Sequence, residues 1–276
     1  MQYLENAWFV ALSAFPNIST NSTIQVLSLS DNNWKNLPQL DELWHLVFGE
    51  RAMQVADLKD LDLGCRRHVL ISPTCQLSGY PFVGLCPTFV PTYTSIPALR
   101  PYFQALRQRV FMKLGFDGRL KRNFSNPSSN KIIFSPRKPS GTGRWLRTPF
   151  DELRNGCATL RMHVQKVAFE NISMVEQIQV MSNARVLIAV EGAVFANRLW
   201  MPAGGVLVVI HIPKLGYKFP VPVRWFDYGE LSGLHVVNVL TVRPQLNVSK
   251  FCSFLSGFLK NTTGLFEGSI TDVAMD

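Results

Sequence analysis

The chain has 276 residues, room for about two domains. Its 47% apolar and 17% charged residues describe a globular chain and exclude a disordered one. A net charge of +9 favours anionic partners such as nucleotides or acidic polymers, but no dense Lys/Arg block with interleaved aromatics supports a nucleic-acid groove.

The five cysteines are Cys65, Cys75, Cys86, Cys157 and Cys252. None lies in a CxxC or Cys/His cluster with metal spacing, so a structural zinc site is not expected. An odd number leaves at least one thiol free if the others pair. No run approaches the roughly 18–20 apolar residues of a membrane span. The most apolar region, 186–212, is broken by Glu191, Asn197, Arg198 and Pro202. The opening AWFVALSAF has no basic n-region and no cleavage site, so it does not read as a signal peptide. Asn-x-Ser/Thr sequons nevertheless begin at Asn17, Asn21, Asn123, Asn171, Asn247 and Asn261, more than this composition yields by chance. Sequons matter only in a secretory lumen. The expectation is a lumenal protein of the Golgi or endoplasmic reticulum, held at the membrane only through an anchor absent from this chain.

Residues 1–125 read as an N-terminal domain. Ser28–Asn36 is polar and turn-like, and Leu40–Phe48 is apolar, with Trp44 and His45. Short strands are expected at Val69–Ile71 and Phe82–Leu85, in a loop-rich stretch punctuated by Pro81, Pro87, Pro91 and Pro97. Pro101–Leu114 reads as a helix, because Phe103, Leu106, Val110, Phe111 and Leu114 recur at helical spacing. Arg107, Arg109 and Lys113 are expected on its solvated face. The polar segment KRNFSNPSSN, Lys121–Asn130, reads as the linker.

Residues 126–276 read as the second domain. KIIFSP is a strand running into a basic loop, Arg137 to Arg144, which could grip a diphosphate beyond the strand's carboxyl end. A solvated basic loop is the competing reading. Thr148 is expected to cap a short helix with Pro149 at its first position and Gly156 at its end. Ala158–Phe169 alternates as a strand. Ser173-Met174-Val175-Glu176 is a capping box opening a helix to Asn183, with Met174, Ile178 and Met181 on its buried face. Val186–Val190 is a short apolar run suited to a buried parallel strand. It ends at Glu191-Gly192-Ala193, where small residues let a phosphate approach backbone N–H groups; a βαβ unit without ligand fits the same pattern. A helix over about Val194–Trp200 and a buried strand over Val206–Ile212 complete a Rossmann-like half with the order β-loop-α-β-α-β-α-β. Arg198, inside that helix, is expected to be a surface charge.

The stretch VEQIQVMSNARVLIAVEGAVFANRLWMPAGGVLVVI resembles the C-terminal signature of glycosyltransferase family 61. That signature has a Glu-Gln helix, a strand, His-Gly-Ala with an Asn four residues after the Ala, then Met-Pro-Pro-Gly. Glu176-Gln177, Gly192-Ala193, Asn197, Met201-Pro202 and Gly204 match it. The Arg137–Arg144 loop is similar to the family's Arg-containing loop after the first strand of its nucleotide domain. The resemblance implies an α/β fold of the GT-B kind, with two Rossmann-like domains. The C-terminal one is a parallel sheet with helices on both faces. It implies inverting transfer from a nucleotide-sugar donor, such as a UDP-sugar, to a glycan or glycoprotein acceptor, with no cofactor and no metal requirement. On this resemblance the donor-binding residues are Arg137, Arg144, Glu176, Gln177, Glu191, Gly192, Ala193 and Asn197. Arg137 and Arg144 take the leaving charge, Gly192 and Ala193 supply N–H groups, Glu176-Gln177 orders the loop or contacts the nucleoside, and Asn197 bonds the loop backbone.

Two positions depart from the pattern. Glu191 stands where the family has His, and Ile210, followed by His211, stands where it has Glu near the end of the last strand. A carboxylate at a diphosphate site repels the ligand unless it is paired or protonated. Either Glu191 bonds a sugar or ribose hydroxyl of a different donor, or catalysis is lost and the chain is a binding relative. Glu191 and His211 end neighbouring strands and are candidates for an exchanged pair. The general base is expected from the first domain; Asp57, Asp60, Asp62, His68 and Asp117 are candidates, with His45 and His163 read as structural.

Overall fold

We analysed a computed structural model of the chain. It describes residues 27–28, 38–48, 53–54, 96–116, 131–136, 145–212, 233–241, 244–261 and 270–275. The chain divides into two compact units, 1–117 and 118–276. The expected strands at Val69–Ile71 and Phe82–Leu85 and the expected linker lie outside the described residues.

In the first unit β1 (Leu27–Ser28) pairs in parallel with β2 (Met53–Gln54). Helix α1 spans Pro38–Phe48 and helix α2 spans Ile96–Lys113. Leu43, Val47 and Phe48 on α1 and Leu106, Val110 and Phe111 on α2 are buried, the 3–4 residue spacing of one helix face. Helix α2 begins at Ile96 rather than Pro101. Pro97 falls in the first turn, where the missing N–H has no intrahelical acceptor to lose. Lys113 is exposed, as a solvated face requires. Arg109 is not: it is 2% exposed, and its Nε donates to Val47 O. The last carbonyls of a helix lack intrahelical partners and carry partial negative charge, so a cation at the end of α1 satisfies both. Arg107 lies 5.5 Å from the Phe111 ring centroid, one helical turn on.

The second unit is built on six parallel strands: β3 (Lys131–Ser135), β4 (His163–Lys166), β5 (Val186–Val190), β6 (Val206–His211), β7 (His235–Leu240) and β8 (Ile270–Ala274). Their spatial order is β4-β3-β5-β6-β7-β8. The order reverses between β3 and β5, where Ser135 is in register with Ala189. Helix α3 (Phe150–Gly156), helix α4 (Met174–Met181) and helix α5 (Val248–Asn261) complete the unit, with 3-10 segments at Cys157–Leu160, Phe169–Asn171 and Ala193–Trp200.

Parallel strands buried on both faces read as continuous apolar runs. All five residues of β5 are buried. One face carries Ile132, Phe134, Ile188, Val208, Ile210 and Val239 against Leu153 of α3 and Phe251 and Leu255 of α5. The alternate residues Ile133, Leu187, Ala189, Leu207 and Val209 are equally buried and point the other way. On that side α4 packs on the segment Ala193–Trp200, which packs on β5. Helices thus cover both faces of an α/β sheet. Met174, Ile178 and Met181 are buried as the capping-box helix requires, and that helix ends at Met181.

Two local expectations are corrected. Thr148 does not cap α3; Pro149 occupies the N-cap with no side-chain bond, and the buried Thr148 hydroxyl accepts from Leu246 N at 2.8 Å. Ala158–Phe169 is not one strand. Cys157 is tied by a disulfide to Cys252 of α5, and Arg161 turns the backbone at φ 51°, so only His163–Lys166 is extended. Elements β7, α5 and β8 extend the unit beyond the half read from the sequence.

Gly156 ends α3 as expected, and packing is what requires it. A Cβ there would meet Val248 Cγ1 at 2.3 Å. In a helix Gly→Ala ordinarily gains about 1 kcal/mol. Here the buried, β-branched Val248 has little freedom to yield, so Gly156→Ala is expected to lose roughly 1–2 kcal/mol net. A urea midpoint equal to or above that of the parent would show that α5 moves aside freely.

Candidate functional site

In a doubly wound sheet the ligand crevice opens beyond the carboxyl ends of the two strands where the order reverses. Those strands are β3 and β5. They run in parallel, so Pro136, which leaves β3, and Glu191, which leaves β5, emerge at the same end of the sheet. Arg137 and Arg144 follow Pro136 and lie outside the described residues, as do Asp57, Asp60, Asp62, His68 and Asp117.

Gly192 is fully extended at φ 164° and ψ −172°, and the eight-residue 3-10 segment begins at Ala193. The N–H groups of its first turn follow directly on the carboxyl end of β5, where an anion is favoured. Helix α4 begins beyond the carboxyl end of β4, the neighbour of β3, so Glu176 and Gln177 approach from the same edge.

Glu176 is committed to its own helix. Its carboxylate accepts from Ser173 N at 2.8 Å and from Ser173 Oγ at 2.9 Å, while Glu176 N donates to Ser173 Oγ at 3.2 Å. The backbone and hydroxyl bonds from Ser173 hold its carboxyl below the ordinary Glu range. Gln177 is buried, and its Nε2 donates to Phe169 O at 2.9 Å and Ile172 O at 3.2 Å. Together the two side chains fix the turn between β4 and α4.

Asn197 and Arg198 lie on the segment against β5. Asn197 is 5% exposed, and among the described residues its Oδ1 has no hydrogen-bond partner. Arg198 corrects the expectation of a surface charge: it is 5% exposed, and its guanidinium donates to Phe195 O at 3.1 Å. Phe195, Leu199 and Trp200 are buried beside it, because the segment is sandwiched between α4 and β5. A charged residue within a short helical pattern does not show that the segment is covered on two sides.

Glu191 extends β5 by one bond, its N–H donating to Ile210 O at 3.1 Å. Its Oε2 lies 3.5 Å from His211 Nδ1, an ion-pair separation. The two side chains are 18% and 12% exposed. His211 Nε2 lies 3.1 Å from Asn238 Oδ1. The exchanged pair considered from the sequence is therefore formed, and it has a third member that sequence reasoning missed. The available signal was Asn238 within the apolar run VVNVL, since a polar group in a buried strand needs a partner. His45 is exposed on α1, and His163 is exposed at the amino end of β4, away from this edge.

The arrangement can hold an anion at backbone N–H groups between β3 and β5, and can offer a carboxylate–imidazole pair to a hydroxyl beside it. Residues 47–208, more than half of the chain, match the family model of Glycosyltransferase 61. No curated protein matches the chain. On the extent of that match, together with a six-stranded parallel sheet of α/β type, the chain belongs to glycosyltransferase family 61.

Proposed function

We propose that this chain transfers a sugar from a nucleotide-sugar donor, a UDP-sugar, to a hydroxyl of a glycan or glycoprotein, with inversion and without a metal. The observation that carries the reading is the reversal of strand order between β3 and β5, with the Arg137–Arg144 loop following one strand and Glu191-Gly192-Ala193 the other. In the GT-B arrangement the family implies, the first domain supplies the acceptor side and the general base. The acceptor hydroxyl attacks the anomeric carbon as the base takes its proton, and the nucleoside diphosphate leaves. Charge develops on the leaving phosphate. In this reading Arg137, Arg144 and the N–H groups at Gly192 and Ala193 stabilise it. Glu191 accepts from a sugar or ribose hydroxyl, and Asn197 supports the loop from beneath.

A secretory lumen is part of the proposal. It is supported by the Cys157–Cys252 disulfide, a bond of oxidising compartments, and by the exposure of Asn171, Asn247 and Asn261, each the first residue of a sequon. No helix among the described residues is long and apolar enough to cross a membrane.

The Glu at position 191 favours one second reading, a relative that binds the nucleotide or the sugar without catalysis. A screen of nucleotide sugars, reading hydrolysis, transfer and calorimetric binding with and without EDTA, separates the two. The active enzyme is expected to turn over one donor in EDTA, and Glu191→Gln is expected to lower transfer. If the chain is a binding relative, Glu191→His strengthens nucleotide binding, more so at lower pH where an imidazole is charged, and no donor is turned over. Tight binding without turnover in the parent would defeat the enzymatic reading.

A further inference from the structure

A carboxylate beside a diphosphate weakens its binding unless that charge is cancelled close by. Three adjacent strand ends supply the means here. Glu191 follows β5, His211 ends β6 and Asn238 lies on β7, with β6 hydrogen-bonded to both neighbours. In the strand register Asn238 stands beside Val209, two residues before His211 and so on the same face of the sheet. The backbone that carries the imidazole is itself clamped, because Thr241 N and Thr241 Oγ1 both donate to His211 O at 3.2 Å.

Both atoms that face the imidazole in this group are oxygens: Glu191 Oε2 at 3.5 Å from Nδ1 and Asn238 Oδ1 at 3.1 Å from Nε2. An oxygen acceptor requires a proton on the nitrogen it faces. With Nε2–H donating to Asn238, the contact on the opposite side is attractive when a second proton sits on Nδ1 or on the carboxyl group. In both forms Glu191 and His211 together have no net charge. If Asn238 did not accept from Nε2, a neutral imidazole would place its single proton on Nδ1, leaving a net negative pair at the edge of the crevice.

We propose that Glu191, His211 and Asn238 form a relay in which His211 and Asn238 are positioning residues: they hold the Glu191 side chain at the β5 edge of the donor crevice and cancel its charge, so that the crevice accepts a diphosphate despite the carboxylate. The proposal rests on the donor-site reading above. It makes Asn238, two strands away from β5, a determinant of donor affinity through the imidazole. Partial burial of the pair strengthens each contact relative to one in open water.

The test has two arms on the full chain. The first needs no ligand: nitrogen-15 spectra of the His211 imidazole are recorded in the parent, in Asn238→Leu, which removes the acceptor, and in Asn238→Asp, which keeps one. Nε2 is expected to be protonated in the parent and in Asn238→Asp, and to lose that proton in Asn238→Leu. An unprotonated Nε2 in the parent overturns the relay. The second arm is calorimetric binding of UDP. His211→Leu, which removes the imidazole from beside the carboxylate, is expected to weaken UDP by about tenfold, the scale of one charge-assisted contact. Adding Glu191→Gln to His211→Leu is expected to restore the affinity to within about threefold, because the repelling charge is gone. A purely structural histidine would not be rescued in this way. Equal UDP affinity in parent and His211→Leu, or no rescue by the second substitution, overturns the proposal. If Asn238→Leu fails to fold, the parent spectrum and the His211 and Glu191 variants still decide it. If the parent itself does not bind UDP, the donor-site reading fails while the imidazole spectrum still decides the relay.

Discussion

Replacing both Cys157 and Cys252 by Ala is expected to lower the stability of the second unit by about 2–5 kcal/mol, the largest effect of any change away from the site. The bond joins residues 95 positions apart. A cross-link over roughly 100 residues removes more freedom from the unfolded chain than one over a short loop, by a logarithmic law that gives about 4–5 kcal/mol at this length. Both sulfurs are buried in the layer where α5 packs over the 3-10 turn after α3, so the substitutions also remove packing. For a unit of this size the loss corresponds to a melting temperature lower by roughly 10 °C. Thermal unfolding of the parent, the reduced parent and the double variant checks it. The reduced parent should fall most of the way to the variant, because the thiols still fill the layer. Equal midpoints for all three would mean that β4, α3 and α5 hold together without the cross-link.

Arg137→Ala is expected to weaken UDP binding by about 1.5–3 kcal/mol, between tenfold and somewhat over a hundredfold, the value of a charge-assisted contact to phosphate. The control must be an arginine that carries charge without structure. Arg198 cannot serve, since it is buried on the segment against β5 and its truncation would leave Phe195 O without this donor. Arg154 is suitable: its side chain is 54% exposed, and its contacts are a surface pair with Asp151 at 3.0 Å and the ring of Phe150 on its own helix at 5.7 Å. Such a pair contributes about 0–1 kcal/mol to stability. Binding of UDP to Arg154→Ala should match the parent within about twofold, because screening removes the influence of a distant exposed charge. Equal small losses for Arg137→Ala and Arg154→Ala would mean that the loop after β3 is a solvated basic segment and that the diphosphate is held elsewhere.

The sequence by itself determined the parts of this protein that depend on local chemistry. The apolar run Val186–Val190, the β-branched run Val206–His211 and the box Ser173–Glu176 carry their structure in residue type and short spacing, and each appears where the sequence places it. The family was also legible, because Glu176-Gln177, Gly192-Ala193, Asn197 and Met201-Pro202 keep fixed offsets along one stretch of chain. Elements beyond Pro213 also carry local signals. Val248, Phe251, Cys252, Leu255 and Leu259 recur at helical spacing and are the buried face of α5.

Only the tertiary structure decided what depends on residues distant in sequence. Arg109 and Arg198 look like solvated charges in their own helices; each is buried because another element covers it, and no local period encodes that cover. Thr148 looks like a cap, but Leu246 N reaches its hydroxyl from almost a hundred residues away. Ala158–Phe169 alternates like a strand, yet the cross-link from Cys157 to α5 and the turn at Arg161 shorten it. The pairing of Glu191 with His211 was a possibility in the sequence, since both end neighbouring strands. Asn238 was not, because joining a residue of β7 to that pair requires the strand order and the register, which are set by packing across the whole sheet.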